Sequence, residues 1–450
     1  MSISPAPISL LLRECRSTFK LALPLVFGHV ATALIGFTDS VLAGRHGANT
    51  LAGVAVGTAL WNVVVVALVG VLLAIPPSVS QLDGAGRRDD VPSLFRQSLW
   101  LALFLAAILI GFLMIAIPAM PHIGIAPDVQ PPARAFLSSI IWGVPGIALY
   151  LTMRYTTEGL HYTLPTMVLG LGGLLVLVPL GSAWMYGWWG FPELGAAGLG
   201  HATAAMVWCQ AIAFALYLRY SRRFAPLRLF AKFEAPRLVS LRALLKLGLP
   251  IGVTVALEAG LFIATALLIG RMGETQVAAH QIAINVATIT FMAALALAEA
   301  TTVRVGHAAG AGNPEGLRRA ASAGYVLVIG FQCLWASLIA LNNDAIASIY
   351  TKDVAVQSLA ATLLLFAAAF QISDGVQVVS GASLRGIKDT RVPMLLAAFS
   401  YWGVGMPVGA SLGLWAGYGA PGMWVGLLSG LSFAALLLTW RFQRMVRKLT

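Results

Sequence analysis

Charge is scarce in this sequence. Its 450 residues include 29 Lys and Arg and 17 Asp and Glu, 10% of the chain, where an average soluble domain carries about 25%. So few charges could not cover the surface of a water-soluble protein of this length, which excludes a soluble enzyme and a nucleic-acid binder. Cysteine is scarcer still. Cys15, Cys209 and Cys333 are odd in number, widely spaced and free of any CxxC pattern, so they specify neither a disulfide framework nor a metal site. His29, His201, His280 and His307 show no HExxH-type spacing, and there is no Walker A motif. No cofactor is expected, and the energy for any transport would come from an ion gradient. The 46 Gly and 22 Pro lie within long apolar runs, which excludes a disordered chain.

What is present is hydrophobic: 59% of all residues. The composition indicates an all-α, polytopic membrane protein. A helix crossing the hydrocarbon layer needs about 20 largely apolar residues, and the chain offers twelve such runs. The first six lie near Leu21–Ala43, Val54–Ile75, Leu99–Ile117, Phe136–Tyr155, Met167–Tyr186 and Ala197–Leu218. The second six lie near Leu249–Ile269, Ala279–Val303, Ala323–Leu341, Ala360–Leu384, Met394–Trp415 and Pro421–Trp440. The first run is too long for a cleavable signal and reads as a transmembrane helix.

An even span count puts both termini on one side, and the basic residues choose it. With the termini in the cytoplasm, only Arg45, Arg134, Arg271 and Lys352 of the 29 Lys and Arg fall outside. Positive residues stay on the cytoplasmic side during insertion, so a multi-pass protein of the cell inner membrane is expected. Eight of the remainder sit in residues 219–246: Arg219, Arg222, Arg223, Arg228, Lys232, Arg237, Arg242 and Lys246. This connector reads as a solvated loop touching anionic membrane lipid. The net charge of +12 then needs no nucleic-acid partner.

The two halves repeat. Phe19-Lys-Leu-Ala-Leu-Pro24 matches Leu245-Lys-Leu-Gly-Leu-Pro250, Gly44-Arg45 matches Gly270-Arg271, and Gly84-Ala-Gly86 matches Gly310-Ala-Gly312, all at an offset of 226. Gly159 pairs with Gly386 and Pro179 with Pro407 after small insertions. Two six-helix bundles that begin on the same side are parallel repeats about the membrane normal, an architecture of secondary transporters. The expected lobes are residues 1–218 and 247–450, enclosing a cleft and joined by the basic connector. The layout needs no second copy, so a monomer is expected.

Ionisable groups inside lipid are costly and by default functional. Glu258 lies near the middle of the seventh run and Asp374 deep in the tenth, while Asp39 is in the outer part of the first and Glu299 near the inner end of the eighth. Thr254, Glu258 and Thr265 share a helical face, as do Gln281, Asn285 and Thr288, and Gln371, Asp374 and Gln377. Converging carboxylate, amide and hydroxyl oxygens suit a hard cation such as Na+, and the same carboxylates could carry protons instead. Pairing of Asp39 with Arg45, or of Glu299 with Arg304, is the structural alternative for those two acids. Pro145, Pro179 and Pro407 would bend their spans. Trp61 and Phe262 are candidates to stack on flat cationic substrates, or to pack.

The motifs resemble the multidrug and toxic compound extrusion family, in its NorM-like branch. The resemblance rests on Leu23-Pro24, Asp39-Ser-Val-Leu-Ala-Gly44, Leu249-Pro-Ile-Gly252 with Glu258, Val277-Ala-Ala-His-Gln-Ile-Ala-Ile-Asn285, Thr302-Val-Arg-Val-Gly306, and Asp374 followed by Gly381-Ala-Ser-Leu-Arg-Gly386. It implies an antiporter that exports cationic, amphipathic, drug-like compounds in exchange for Na+ or H+. It also implies that Glu258 and Asp374 are cation-site acids, that Asp39 is the acid of the first lobe, and that Gln281 and Asn285 are polar site positions. The sequence departs from the family pattern at Leu177 and Gly181, where asparagines are frequent. It departs again at Phe370, where tyrosine is frequent, and in carrying Glu299. Two other classes make different demands on the sequence. A flippase of a lipid-linked precursor should carry mid-span Arg or Lys for phosphates, and an intramembrane enzyme should carry paired His and Asp. Neither pattern is found, and no enzymatic activity is expected.

Overall fold

The structure, a computed structural model, describes residues 8–449. Among them are twelve helices long and apolar enough to cross a membrane, and no strand. Spans one to six are Ile8–His46, Ala48–Gly84, Arg88–His122, Gln130–Gly159, Leu164–Tyr186 and Ala196–Tyr220. Spans seven to twelve are Leu238–Gly270, Glu274–Gly310, Pro314–Leu341, Val354–Gly386, Arg391–Trp415 and Gly419–Lys448. Several helices outrun the apolar stretches. Among the described residues span one is helical from Ile8 onward, and residues 8–20, though polar in part, contain no Gly or Pro to interrupt it.

Proline shapes three spans differently. Pro179 sits inside one continuous helix. Pro145 lies in the first turn of a helix that resumes after a 3-10 turn at Ile141–Gly143, where a missing N–H costs little. Span eleven is the most irregular: Phe399–Gly405 and Ser411–Trp415 are π-helical, with Pro407 in the short α-helix between them. Single π turns inside α-helices concentrate at functional sites.

Packing divides the described chain into two compact units. One is Pro24–Gly252. The other joins the chain up to Leu23 to the chain from Val253 onward. Of the lobes expected over residues 1–218 and 247–450, residues 1–7 and 450 lie outside the described residues. The start of span one belongs to the second-half unit for two reasons. Leu21 and Ala22 are buried with Ala294, Leu297, Val328 and Val379. Arg304 also grips Glu14 through two hydrogen bonds of 2.7 and 2.8 Å.

The internal repeat is reproduced in the backbone. After span two, Gly86 N donates to Asp83 O and Arg87 N to Leu82 O; after span eight, Gly312 N donates to Ala309 O and Asn313 N to Ala308 O. Gly86 and Gly312 both take a left-handed φ, 73° and 61°. His161 and Lys388, each two residues past the end of its span, share φ 61°, a conformation uncommon for residues with a side chain. The glycines just before them allow the same close approach. A Cβ on Gly159 would stand 2.7 Å from Val79 Cβ and 3.0 Å from Pro76 O, and one on Gly386 would stand 2.8 Å from Val305 Cγ1 and 3.0 Å from Thr302 O.

The basic connector is not a free loop. Phe224 and Leu229 are buried in the core of the Pro24–Gly252 unit. The Trp100 indole donates to Glu234 O at 2.8 Å, Gln97 Nε2 to Ala235 O at 3.0 Å, and Arg237 N to Gln97 Oε1 at 2.7 Å. Ser93 and Arg96 both hydrogen-bond the Glu234 carboxylate, which holds that carboxyl below its ordinary range. All eight basic side chains of the connector nevertheless point out and are exposed. Phe224 and Leu229 dock while the basic side chains stay exposed.

Candidate functional site

Span ten is the axis of the second-half unit, and hydroxyl groups fix it on several sides. Thr302 of span eight donates to Ala382 O at 3.0 Å. Ser380 meets Tyr325 of span nine and Thr439 of span twelve, each at 2.8 Å, and Ser373 meets Ser432 at 2.8 Å. Such bonds between helices substitute for the hydrophobic drive that lipid cannot supply.

Within that frame Gln371, Asp374 and Gln377 are all buried. Their faces look onto different neighbours. Gln332 of span nine, fully enclosed, donates its Nε2 to Gln371 O at 3.1 Å. Gly375 makes room for it, since a Cβ there would stand 2.9 Å from Gln332 Cγ. On another side, Gln377 Nε2 donates to Tyr401 Oη at 2.7 Å, and Tyr401 belongs to the first π-helical stretch of span eleven. Several atoms here are sealed from solvent without a hydrogen-bond partner: Asp374 Oδ1, Gln332 Oε1, Gln377 Oε1, and both amide atoms of Gln371. Buried polar groups are rarely left in that state, and each normally has a bound water, an ion or a functional reason.

Span seven supplies the second acid. Glu258 is half-buried, and its charge and that of Asp374 lie within electrostatic reach of one another and of the Tyr401 hydroxyl. Arg385, in the last turn of span ten, acts on Glu258 from the basic side. Thr265 is buried on the same side of span seven and Thr254 is half-buried. Aromatic rings close the group. Phe370 stands edge-on to Phe262 and to Trp424, with centroids 6.0 and 5.9 Å apart, and the Trp424 indole donates to His280 Nδ1 at 3.2 Å. Phe262 and Phe370 therefore pack against each other here.

The surroundings of the other expected site residues vary. Gln281, Asn285 and Thr288 form an exposed face of span eight, while their neighbour His280 is the residue turned inward. Glu299 is half-buried, and Arg304, its expected partner, is engaged with Glu14. In the Pro24–Gly252 unit, Asp39 is buried and its Oδ1 has no hydrogen-bond partner. Arg45 is exposed and forms no ion pair with it. Leu177 and Gly181 are likewise buried. Trp61 is buried in the unit's core among residues such as Val64 and Leu68, which is the packing alternative rather than an open stacking surface.

Chemically, two acids in one low-dielectric site strongly disfavour being charged together. A pair of that kind is able to hold a positive charge, and amide and hydroxyl oxygens are the ligand type a hard cation takes. The family model described as MatE matches residues 24–183 and again residues 250–410. The chain belongs to that family. The doubled MatE match falls on the two repeats and brings Asp39, Glu258 and Asp374 inside the matched segments. Along its whole length the chain is 57% identical to a probable multidrug resistance protein NorM of Xanthomonas axonopodis pv. citri (strain 306), covering 99% of that relative. It is 40% identical to the multidrug resistance protein PmpM of Pseudomonas aeruginosa, over 99% of this chain and 95% of the relative. A solved MATE structure in the straight conformation shares the fold with a TM-score of 0.88 at 18% identity, covering 99% of each chain.

The sequence reading did not single out Gln332, Tyr401 or Trp424. A lone amide in the otherwise apolar stretch around Gln332 was the available signal. A second unanticipated group joins spans four and five: Arg154 Nε binds Glu158 Oε1 at 2.7 Å and Thr166 donates to the same oxygen at 3.0 Å, all three buried. The i, i+4 spacing of Arg154 and Glu158 would have revealed that pair.

Proposed function

We propose that this chain is a secondary active multidrug efflux transporter, not an enzyme. In this reading it exports cationic, amphipathic compounds in exchange for Na+ or H+. It works as a monomer in the inner membrane, with both termini and the exposed basic connector on the cytoplasmic side, against anionic lipid. The observation that carries the reading is Asp374: a carboxylate enclosed in a membrane-spanning helix, beside unpartnered amides and in the field of Glu258. The multidrug resistance names of its relatives support the same substrate class.

The mechanism is competition for that negative charge. A coupling ion arriving from outside neutralises the Glu258–Asp374 pair and removes its attraction for a cationic drug, which leaves. Return of the site to the cytoplasmic side releases the ion and restores the attraction. An inward potential contributes about 2.3 kcal/mol per elementary charge per 100 mV. Asp39, Gln281 and Asn285 contribute polar contacts along the route, and Gln371, Gln377, Thr254 and Thr265 shape the second-unit site.

The test is ethidium efflux from proteoliposomes, driven separately by a Na+ gradient and a pH gradient. Asp374→Asn and Glu258→Gln should each slow efflux at least tenfold. Wild-type rates in both variants would remove this site from the mechanism.

A further inference from the structure

Span three carries an exposed apolar stripe. Phe104, Ile108 and Phe112 recur every fourth residue and are all exposed, so they share a helical face. On a membrane span such a face meets lipid acyl chains. Trp100 continues the same row one step toward the cytoplasmic end. Phe233 of the connector stands edge-on to Trp100 with ring centroids 5.9 Å apart, and is itself 84% exposed. The Phe233 ring therefore lies at the cytoplasmic edge of the lipid-facing stripe, where aromatic side chains collect at membrane–water interfaces.

The backbone around it is held in place. Arg96 Nη1 donates to Leu229 O at 3.1 Å, the Trp100 indole to Glu234 O at 2.8 Å and Gln97 Nε2 to Ala235 O at 3.0 Å, while Phe230 meets Phe95 edge-on at 5.3 Å. Lys232 and Arg237, on either side of Phe233, are both exposed. Glu234 is the single acid of residues 219–246. Arg237 lies in its field, but its carboxylate is hydrogen-bonded by Ser93 and Arg96, which leaves the exposed surface basic.

We propose that Lys232, Phe233 and Arg237 form a headgroup site for an anionic phospholipid. The ring enters the boundary between headgroups and acyl chains, and the two cations hold the phosphate. A basic pair alone would suit a free phosphate equally. The exposed ring, continuous with the stripe of span three, selects the lipid. Charge and an inserted apolar group are the two signals that together hold a segment to a bilayer. Since the connector is fastened to span three and runs into span seven at Leu238, the bound lipid sets both helices at one depth. This inference deepens the reading that puts the connector against anionic lipid on the cytoplasmic side, and rests on that placement.

The experiment titrates the full-length purified protein, in neutral detergent, with phosphatidylglycerol, with phosphatidylcholine of the same chains, and with inorganic phosphate, by calorimetry. Wild type should bind phosphatidylglycerol about tenfold or more tighter than phosphatidylcholine, give no saturation with phosphate alone, and lose the preference as salt is raised. The double variant Lys232→Gln with Arg237→Gln should weaken phosphatidylglycerol binding about tenfold. Arg45→Gln with Arg271→Gln removes the same charge elsewhere and should leave it unchanged. Phe233→Ser should weaken binding and Phe233→Trp should keep it. Melting temperatures measured alongside separate lost binding from lost folding. Equal affinity for the two lipids, saturation by phosphate alone, or equal loss in the charge-matched control overturns the inference while the cytoplasmic placement stands. Trypsin added to spheroplasts tests that placement by itself: protection of the connector supports it, and cleavage there overturns it whichever lipid binds.

Discussion

Arg304 holds both carboxylate oxygens of Glu14, 290 residues away in sequence, while Glu299, five residues before it, is left to other interactions. The pairing ties the start of span one to the end of span eight. Bidentate geometry is the strong form of this contact, but both side chains are partly exposed, about 26% and 18%. A double-mutant cycle with Glu14→Gln and Arg304→Gln should therefore give a coupling of about 1 kcal/mol, read from thermal melting in detergent. A coupling of zero would reassign the pair to an ornament of the surface.

The repeat makes a sharper demand on two glycines. At Gly159 and Gly386 an added methyl meets a valine side chain and a carbonyl at nearly the same distances. Gly159→Ala and Gly386→Ala should each destabilise by about 1–3 kcal/mol, the usual cost of overpacking. The two should also agree with one another more closely than with alanine at Gly36 or Gly381, where a Cβ meets nothing within 4 Å. Unfolding curves of the four variants check this. Two near-neutral results at Gly159 and Gly386 would mean that the close approaches relax.

These cases show what the sequence could and could not convey. Spans were countable because lipid imposes a length, and the repeat was visible because Gly and Pro mark the same turns twice. Asp374 and Glu258 stood out because charge in an apolar run is rare. Gln332 did not, since one amide on a helix has no periodic company and its meaning depends on Gly375 of another span. The partner of Arg304 was equally hidden: local spacing favoured Glu299, and only tertiary packing brings Glu14 within reach. The docking of the connector also lay outside pattern reading, because several of its anchors are main-chain groups of residues 229–237 that any sequence would carry.

That docking should respond to acid with a definite sign. Hydrogen bonds from Arg96 and Ser93 hold the Glu234 carboxyl below its ordinary range, so its contribution is complete above the unfolded carboxylate value, about 4.3. It is lost as pH falls through the lower folded value. Hydrogen exchange of residues 229–237 should be slow at pH 7 and accelerate, after correction for the intrinsic rate, below about pH 4. Glu234→Gln should exchange faster already at pH 7 and lose the acid dependence. An unchanged profile in the variant would assign the docking to Gln97, Trp100 and the buried Phe224 and Leu229 instead.

Asp39 poses the opposite case, a buried acid with no ion pair among the described residues. Its Oδ1 is sealed and unpartnered. A charge kept there costs stability, and the protein gains nothing structural in return. Asp39→Asn should therefore raise the melting temperature, by the equivalent of about 1 kcal/mol. Drug efflux by the same variant should fall, because a residue retained at a cost to folding is retained for its charge. A variant that melts lower than wild type would show that Asp39 has a stabilising role after all, and its place on the transport route would have to be given up.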